Sequence, residues 1–418
     1  MEKAITVGVN INNNPHFNYS MEELNNLAGA CDIEIVQTMS QNLESENATH
    51  YIGIGKAEEI AEIIKEKQID TVIFNDELSP SQIRNLEDIL DTKVIDRTYL
   101  ILEIFSRRAQ TKEAKLQVEI AQLKYMMPRL IGLRASLSRQ YGGGTGGTVN
   151  RGSGEKKLEL DRRKIEKRIA LCNKELNELV AVRQNQRKQR AKNGIPIVAI
   201  VGYTNSGKST LLNSFLETYS AQENKFVLER DMLFATLETS ARRIKLPNNK
   251  EFLLIDTVGF VSNLPHYLIK AFRSTLEEVK EADLLLHVVD ITNPHLTEQK
   301  DITHQVLKEI GVEESVPEII VYNKTDLPDI QNHLASDNEL YISAKSKKGL
   351  PELTEKIEKM LFQDYKKCEF LFPFTQGNLE QYFRENSHVY DVAYLENGIK
   401  MTVECKGKDA EKYCEYLV

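Results

Sequence analysis

Residues Gly202–Ser209 read GYTNSGKS, the complete G-x-x-x-x-G-K-[ST] pattern of a phosphate-binding loop. An apolar run, Ile195–Val201, broken only by Pro196, precedes the loop, and a helix-like stretch, Thr210–Leu216, comes after it. This setting restricts the local fold to strand, loop and helix, because the loop must turn its backbone N–H groups onto a polyphosphate at a helix N-terminus. Lys208 then reaches the β- and γ-phosphates, and the Ser209 hydroxyl is placed to ligate Mg²⁺. Gly202, Tyr203, Thr204, Asn205, Ser206, Gly207, Lys208, Ser209 and Thr210 are the candidate phosphate-loop residues. A chance glycine loop would lack these flanks, so the chain is expected to bind a nucleoside triphosphate.

Around the loop, residues 195–362 alternate strand and helix signals. Strands are predicted at Ile197–Val201, Ala241–Leu246, Phe252–Asp256, Leu284–Asp290, Glu318–Tyr322 and Leu340–Ser343. Pro247-Asn248-Asn249 forms a hairpin turn, and Leu350–Leu361 is the last helix. Such a pattern is an α/β, doubly wound nucleotide domain whose ligand crevice lies at the strand C-termini.

Three further motifs specify the ligand. Asn323-Lys324-Thr325-Asp326 closes an apolar strand 115 residues after Lys208. Asp326 offers a carboxylate to the N1–H and N2–H₂ donors of guanine. Adenine lacks that donor pair and would leave the carboxylate unpaired, which is costly. Alone, N-K-x-D is more often a surface turn. Here Ser343-Ala344-Lys345 after the next strand adds an Ala344 N–H for guanine O6. Asp256-Thr257-Val258-Gly259 ends a strand, so that Asp256 holds Mg²⁺ through water and the Gly259 N–H meets the γ-phosphate. Thr236, in Phe234-Ala235-Thr236-Leu237, is the candidate switch threonine over Mg²⁺. Together these predict a GTPase, with GTP and GDP as ligands, Ser209, Thr236 and Asp256 as metal residues, and Lys208, Thr236 and Gly259 in catalysis. Phe260 stands where many GTPases carry a water-orienting glutamine, so hydrolysis by the isolated protein is expected to be slow. Asn205, three residues before Lys208, stands where some phosphate loops coordinate K⁺, which raises potassium as a further cofactor.

Charge marks a second module. The chain carries net charge −8, yet residues 107–192 hold 22 Lys/Arg against 8 Asp/Glu, a local +14 on a remainder of −22. Leu116, Ile120, Leu123 and Met127 on one side, and Ile165, Ile169, Cys172, Leu176 and Leu179 on the other, repeat at a/d spacing. Two helices zipped antiparallel are predicted over 107–194, with a glycine-rich tip, Tyr141–Gly154, unsuited to helix. A solvated coiled coil without ligand accounts for the periodicity. The excess charge repels itself unless phosphates neutralise it, which points to nucleic acid. Only Tyr125 and Tyr141 are aromatic here, so folded RNA fits better than stacked single strands.

Residues 1–106 predict a small parallel α/β domain, with strands Ala4–Val9, Ile33–Thr38, Thr71–Asn75 and Lys93–Ile95 and helices Lys56–Lys67 and Ser79–Leu90. Gly53-Ile54-Gly55-Lys56 reads as a turn entering a helix rather than a second phosphate loop. Residues 363–418 predict a small α+β domain: Phe370–Phe374, a helix near Leu379–Glu385, and a hairpin of Asp391–Leu395 and Lys400–Cys405. Cys31, Cys172, Cys368, Cys405 and Cys414 lack metal-ligand spacing and read as reduced thiols. No run of 18 apolar residues occurs, and MEKAITVGVN has no signal-peptide pattern, so the expected location is cytoplasmic, without a membrane partner.

These motifs resemble the HflX-type GTPases, of the same broad group as Obg, over nearly the whole chain. The marks are YIGIGK at 51–56, MMPRLIG at 126–132, LELDRRKIEKRI at 158–169, GYTNSGKST, FATLETSARR at 234–243, DTVGFVSNLPHYLIKAFRSTLEE at 256–278, and NKTD. A hydrophobic residue at position 260 is typical of that family. The usual GTRGPGE before LE-x-DRR is replaced by GGTVNRGSGE at 146–155, longer and without the proline. The resemblance implies a protein associated with the large ribosomal subunit and its rRNA through residues 107–192, which separates stalled ribosomes. A monomer is expected. An assembly or RNA-remodelling factor, and a signalling switch that binds protein effectors and dimerises through the hairpin, are the alternatives.

Overall fold

The computed structural model describes residues 1–140, 151–219, 240–262, 278–313, 315–327 and 337–418, with backbone alone at 131–140, 151–158 and 182–193. These residues fall into two compact units. One holds Met1–Lys188 and the described part of Val258–Thr275. The other holds the described parts of Gln189–Glu229, Thr239–Thr257 and Leu276–Val418.

In the first unit, β1 (Glu2–Ile11), β2 (Ile33–Leu43), β3 (Thr71–Phe74) and β4 (Lys93–Asp96) form a sheet ordered β2-β1-β3-β4. Every pair is parallel, as crossover helices require. The crossovers are α1 (Phe17–Ala30), α2 (Ile54–Lys67) and α3 (Pro80–Leu90). The sequence delimits α2 and α3 and places α1 only as a helical stretch between strands. Ser79 closes a full capping box with Gln82, and Pro80 occupies the first turn, so α3 starts where its chemistry dictates. Gly53 caps α2 in extended conformation, in keeping with a helix start at Gly53-Ile54-Gly55-Lys56. β1 is buried along Ala4–Val9 because the sheet is covered on both faces. After β4 the chain enters α4 (Arg97–Arg108), capped by the Asp96 carboxylate on the Tyr99 N–H at 2.9 Å.

The long helices α5 (Lys112–Gln140) and α6 (Arg151–Asn193) come next. Leu116, Ile120 and Cys172 form a buried cluster with Ile169, Leu176 and Leu179 against it. Lys112 pairs with Glu175 at 2.8 Å and Glu119 with Arg168 at 2.8 Å, so rising numbers on α5 meet falling numbers on α6. Leu123 and Met127, read as continuing the seam, are only half-buried and lie outside that cluster. By this point α5 also serves the α/β domain. Ala121 and Tyr125 are buried, and the Tyr125 ring lies 6.2 Å from that of Tyr99 on α4. One correction concerns the tip. Arg151–Gly154 belongs to the first turn of α6, where glycine costs least because the first amides have no intrahelical partner. Residues 141–150 lie outside the described residues.

In the second unit, β5 (Ile197–Val201), β6 (Ser240–Lys245), β7 (Glu251–Asp256), β8 (Leu284–Asp290), β9 (Glu318–Asn323) and β10 (Glu339–Tyr341) form a sheet ordered β10-β9-β8-β5-β7-β6. Only the β6–β7 hairpin is antiparallel. Helices α7 (Lys208–Tyr219), α8 (Leu296–Ile310) and α9 (Leu350–Leu361) accompany it. Its core joins Val198 and Ile200 of β5 to Leu211 and Phe215 of α7 and Leu353 of α9. Three further strands, β11 (Tyr365–Phe372), β12 (His388–Leu395) and β13 (Gly398–Lys406), make an antiparallel sheet ordered β11-β13-β12. Phe370, Phe372 and Met401 of this sheet pack on Phe383 of α10 (Gly377–Asn386). All five cysteines are free thiols, and burial lifts that of Cys31 to about 11.

Candidate nucleotide site

β5 is flanked by β7 on one side and β8 on the other, so the chain reverses its direction of travel across the sheet at this strand. A crevice opens at such a point beyond the strand C-termini, and Gly202–Ser209 sits there. Gly202 has φ +142°, and a Cβ on it would lie 2.3 Å from the Val288 carbonyl oxygen. Gly207 has φ +91°, and a Cβ there would lie 2.1 Å from Asn323 Nδ2. Neither position admits a side chain, and between them Asn205 takes a left-handed turn at φ 60° with its side chain exposed.

Asn323 staples the crevice. Its Nδ2 donates to the Ser206 carbonyl at 2.9 Å, and its Oδ1 accepts from the Ala344 N–H at 2.9 Å. The NKTD and Ser343-Ala344-Lys345 segments therefore meet the phosphate loop, in keeping with their order in the sequence. In this structure the first partner of the Ala344 N–H is Asn323. Asp326 is exposed and accepts from Ser343 Oγ at 2.6 Å, and this hydrogen bond chiefly holds its carboxyl below the usual range. It is thus ionised for pairing with donor edges. Lys324 extends to Asp290 at 2.7 Å, an acceptor at the end of β8 that no sequence motif marks. Lys345 is exposed.

Across the loop, Ser209 Oγ donates to Asp256 Oδ2 at 2.7 Å, and Asp256 is fully buried. Thr257 Oγ1 donates to the Ile200 carbonyl at 2.7 Å, locking the end of β7 to β5. Lys208 is 6% exposed and its ammonium donates to the Tyr203 carbonyl. Burial lowers it to about 8, against the attraction of Asp256 and with a further push from Lys324. Thr204 Oγ1 and Ser206 Oγ are buried without a hydrogen-bond partner among the described residues. A pinched glycine loop, a buried cation and two unmatched hydroxyls fit an anion in the cradle, and the paired Ser209 and Asp256 oxygens fit a hard divalent cation beside it. Thr210 is half-buried on α7. Gly259 and Phe260 are buried, Phe260 to 2% exposure, whereas Thr236 lies outside the described residues.

Three family models and several known proteins are similar to this chain. Residues 18–106 match the family described as GTP-binding GTPase N-terminal, and residues 108–190 the GTP-binding GTPase middle region. Residues 197–324 match the family described as 50S ribosome-binding GTPase. A protein named GTPase HflX from Caldanaerobacter subterraneus subsp. tengcongensis is 46% identical over 417 residues, spanning 100% of this chain and 94% of the relative. The GTPase HflX of Escherichia coli is 38% identical over 369 residues, spanning 87% of this chain and 84% of that one. Among solved structures, a complex of SsGBP with GDP is 27% identical with TM-score 0.48, covering 87% of this chain and 99% of that one. With 46% identity to one such protein over the full length of this chain and 38% to another over 87% of it, the chain belongs to the HflX family of GTPases.

Proposed function

We propose that this protein is a ribosome-associated GTPase that binds the large subunit in its GTP state, splits or rescues stalled ribosomes, and hydrolyses GTP faster on the ribosome. The observation that carries this reading is Phe260, buried directly after Gly259 and without any group to orient a water. A switch built so needs its active site completed from outside. The basic 107–192 region, with 22 Lys/Arg against 8 Asp/Glu, supplies affinity for an RNA partner by counterion release. The match of residues 197–324 to a family described as 50S ribosome-binding GTPase supports the same partner.

In this reading the phosphate-loop amides and Lys208 bind the β- and γ-phosphates, and Asp326 with Ser343-Ala344-Lys345 selects guanine. Ser209, Asp256 and Thr236 would hold Mg²⁺, which when bound neutralises charge on the phosphates. GTP orders Thr236 and Asp256–Phe260, favouring the ribosome-bound form, and hydrolysis releases it. Asn205 would hold K⁺ against the phosphates, which predicts faster turnover in KCl than in NaCl of matched ionic strength. The protein acts as a cytoplasmic monomer of four domains, bounded at residues 106, 194 and 362.

The test is GTP turnover with and without isolated large subunits, repeated after deletion of Gly142–Gly154. Stimulation at least tenfold in the full chain and reduced by the deletion is expected. An unstimulated rate counts against the partner, and stimulation untouched by the deletion removes the tip from the mechanism. Light scattering of 70S particles with protein and GTP should fall. A constant signal alongside stimulated turnover would favour an assembly factor.

A further inference from the structure

The sheet of the first unit has its own point of reversal. In the order β2-β1-β3-β4 the chain turns between β1 and β3, and the crevice beyond their C-terminal ends is where an open α/β sheet receives a ligand. Here a side chain of the same molecule fills it. Arg97, the first residue after β4, is among the largest fully buried side chains. Its Nη1 donates to Asn75 Oδ1 at 3.1 Å, just past β3, and to the Ser20 carbonyl at 3.3 Å on α1. Its Nη2 pairs with Glu23, only 4% exposed, and donates to Ser262 Oγ at 2.9 Å. Ser262 Oγ in turn donates to Glu23. All of these residues belong to the first unit.

Ser262 lies only six positions after Asp256, the buried carboxylate at the nucleotide loop. The intervening Val258, Gly259, Phe260 and Val261 are buried. The end of this stretch, within the first unit, is held by the Glu23–Arg97 pair. One position before Arg97, Asp96 faces the helical hairpin. Its Oδ1 accepts from Tyr125 Oη at 2.9 Å, and its Oδ2 accepts from Arg129 Nη2 at 3.1 Å and from the Leu78 N–H at 3.1 Å. The Arg129 guanidinium stacks 3.5 Å from the Tyr125 ring centroid.

We infer that Glu23 and Arg97 are positioning residues for the Gly259 segment, and that the Asp96-Arg97 turn transmits the state of that segment to the base of the basic hairpin. A buried guanidinium that keeps its ion pair has no cheap intermediate position, so Ser262 is either docked or released. Asp96 and Arg97 share one turn, so release on one side shifts the frame that Tyr125 and Arg129 grip on the other. This inference rests on the nucleotide-site reading, and it requires nothing of the ribosomal partner.

The test uses Ser262→Ala, which removes the shared hydroxyl while leaving the ion pair intact, and Ser262→Thr, which restores it. In the wild type, exchanging GDP for a non-hydrolysable GTP analogue should change amide hydrogen exchange at residues 96–99 and 121–129. Ser262→Ala should reduce that difference at least threefold and lower kcat about tenfold with GTP affinity unchanged, and Ser262→Thr should recover both. A nucleotide-dependent difference of the same size in Ser262→Ala, or none in the wild type despite measured GTP binding, overturns the inference. Absence of GTP binding to the wild type would instead defeat the nucleotide-site reading. Glu23→Gln serves as a second variant. It keeps the shape but not the charge, and a coupling that persists through it also overturns the inference.

Discussion

Lys208 meets two opposed demands. It must be charged to hold a triphosphate, yet it is buried, and burial lowers its ammonium to about 8 from 10.5. The unfolded chain therefore holds this proton more tightly than the nucleotide-free fold. Stability rises as pH climbs from about 8 toward 10.5, and below pH 8 the full cost, on the order of 3 kcal/mol, is present. Lys208→Met should accordingly raise the melting temperature of the nucleotide-free protein at pH 7 by a few degrees, flatten its rise between pH 8 and 10, and abolish GTP binding. Differential scanning fluorimetry with and without GTP reads all three. Asp326 obeys a simpler rule. Its carboxylate is ionised and pre-oriented by Ser343, so Asp326→Asn exchanges an acceptor for a donor without disturbing the fold. GTP affinity should fall by about 100-fold or more, and xanthosine triphosphate affinity should rise, measured by competition binding.

At the level of elements, loops and helices depend on different forces. The phosphate loop tolerates no Cβ at Gly207, because Asn323 Nδ2 occupies that space while tying Ser206 to Ala344. Gly207→Ala should lose nucleotide binding at least 100-fold with the sheet intact, as far-ultraviolet circular dichroism beside titration would show. In the hairpin, the Glu119–Arg168 and Lys112–Glu175 pairs are open to solvent, which screens them, so they add little to stability. The Leu116, Ile120 and Cys172 cluster contributes more, since truncating a buried aliphatic costs about 2–5 kcal/mol. Ile120→Ala should raise hydrogen exchange along 112–123 and 165–179 while GTP affinity stays unchanged. The a/d spacing made this seam legible, but the departure of Leu123 and Met127 from it was not. Where α5 turns Ala121 and Tyr125 toward α4, a second packing surface competes for the same helix, and one-dimensional periodicity cannot register two partners.

For the whole molecule, charge is unevenly divided, with a local +14 at 107–192 on a chain of net −8. Binding to large subunits should weaken by at least tenfold between 50 and 200 mM KCl, and the log–log slope should shrink when lysines and arginines of the hairpin are replaced, measured by co-sedimentation. Among the described residues, no helix is long and apolar enough to cross a membrane. The sequence by itself determined the nucleotide chemistry and the kinds of element. Phosphate loop, NKTD and hairpin signals are local, each needing only a few neighbouring residues to express backbone geometry or helical period. Only the tertiary structure decided which distant groups meet. Nothing in the string distinguishes Arg97 from a surface arginine, or links it to Glu23 and to Ser262, 165 positions away. Those contacts arise from strand order, because the reversal between β1 and β3 brings the ends of β3 and β4 and the first turns of α1 to one edge. A buried charge at that edge must find its partners in three dimensions, and the chain supplied one of them, Ser262, from far along its sequence.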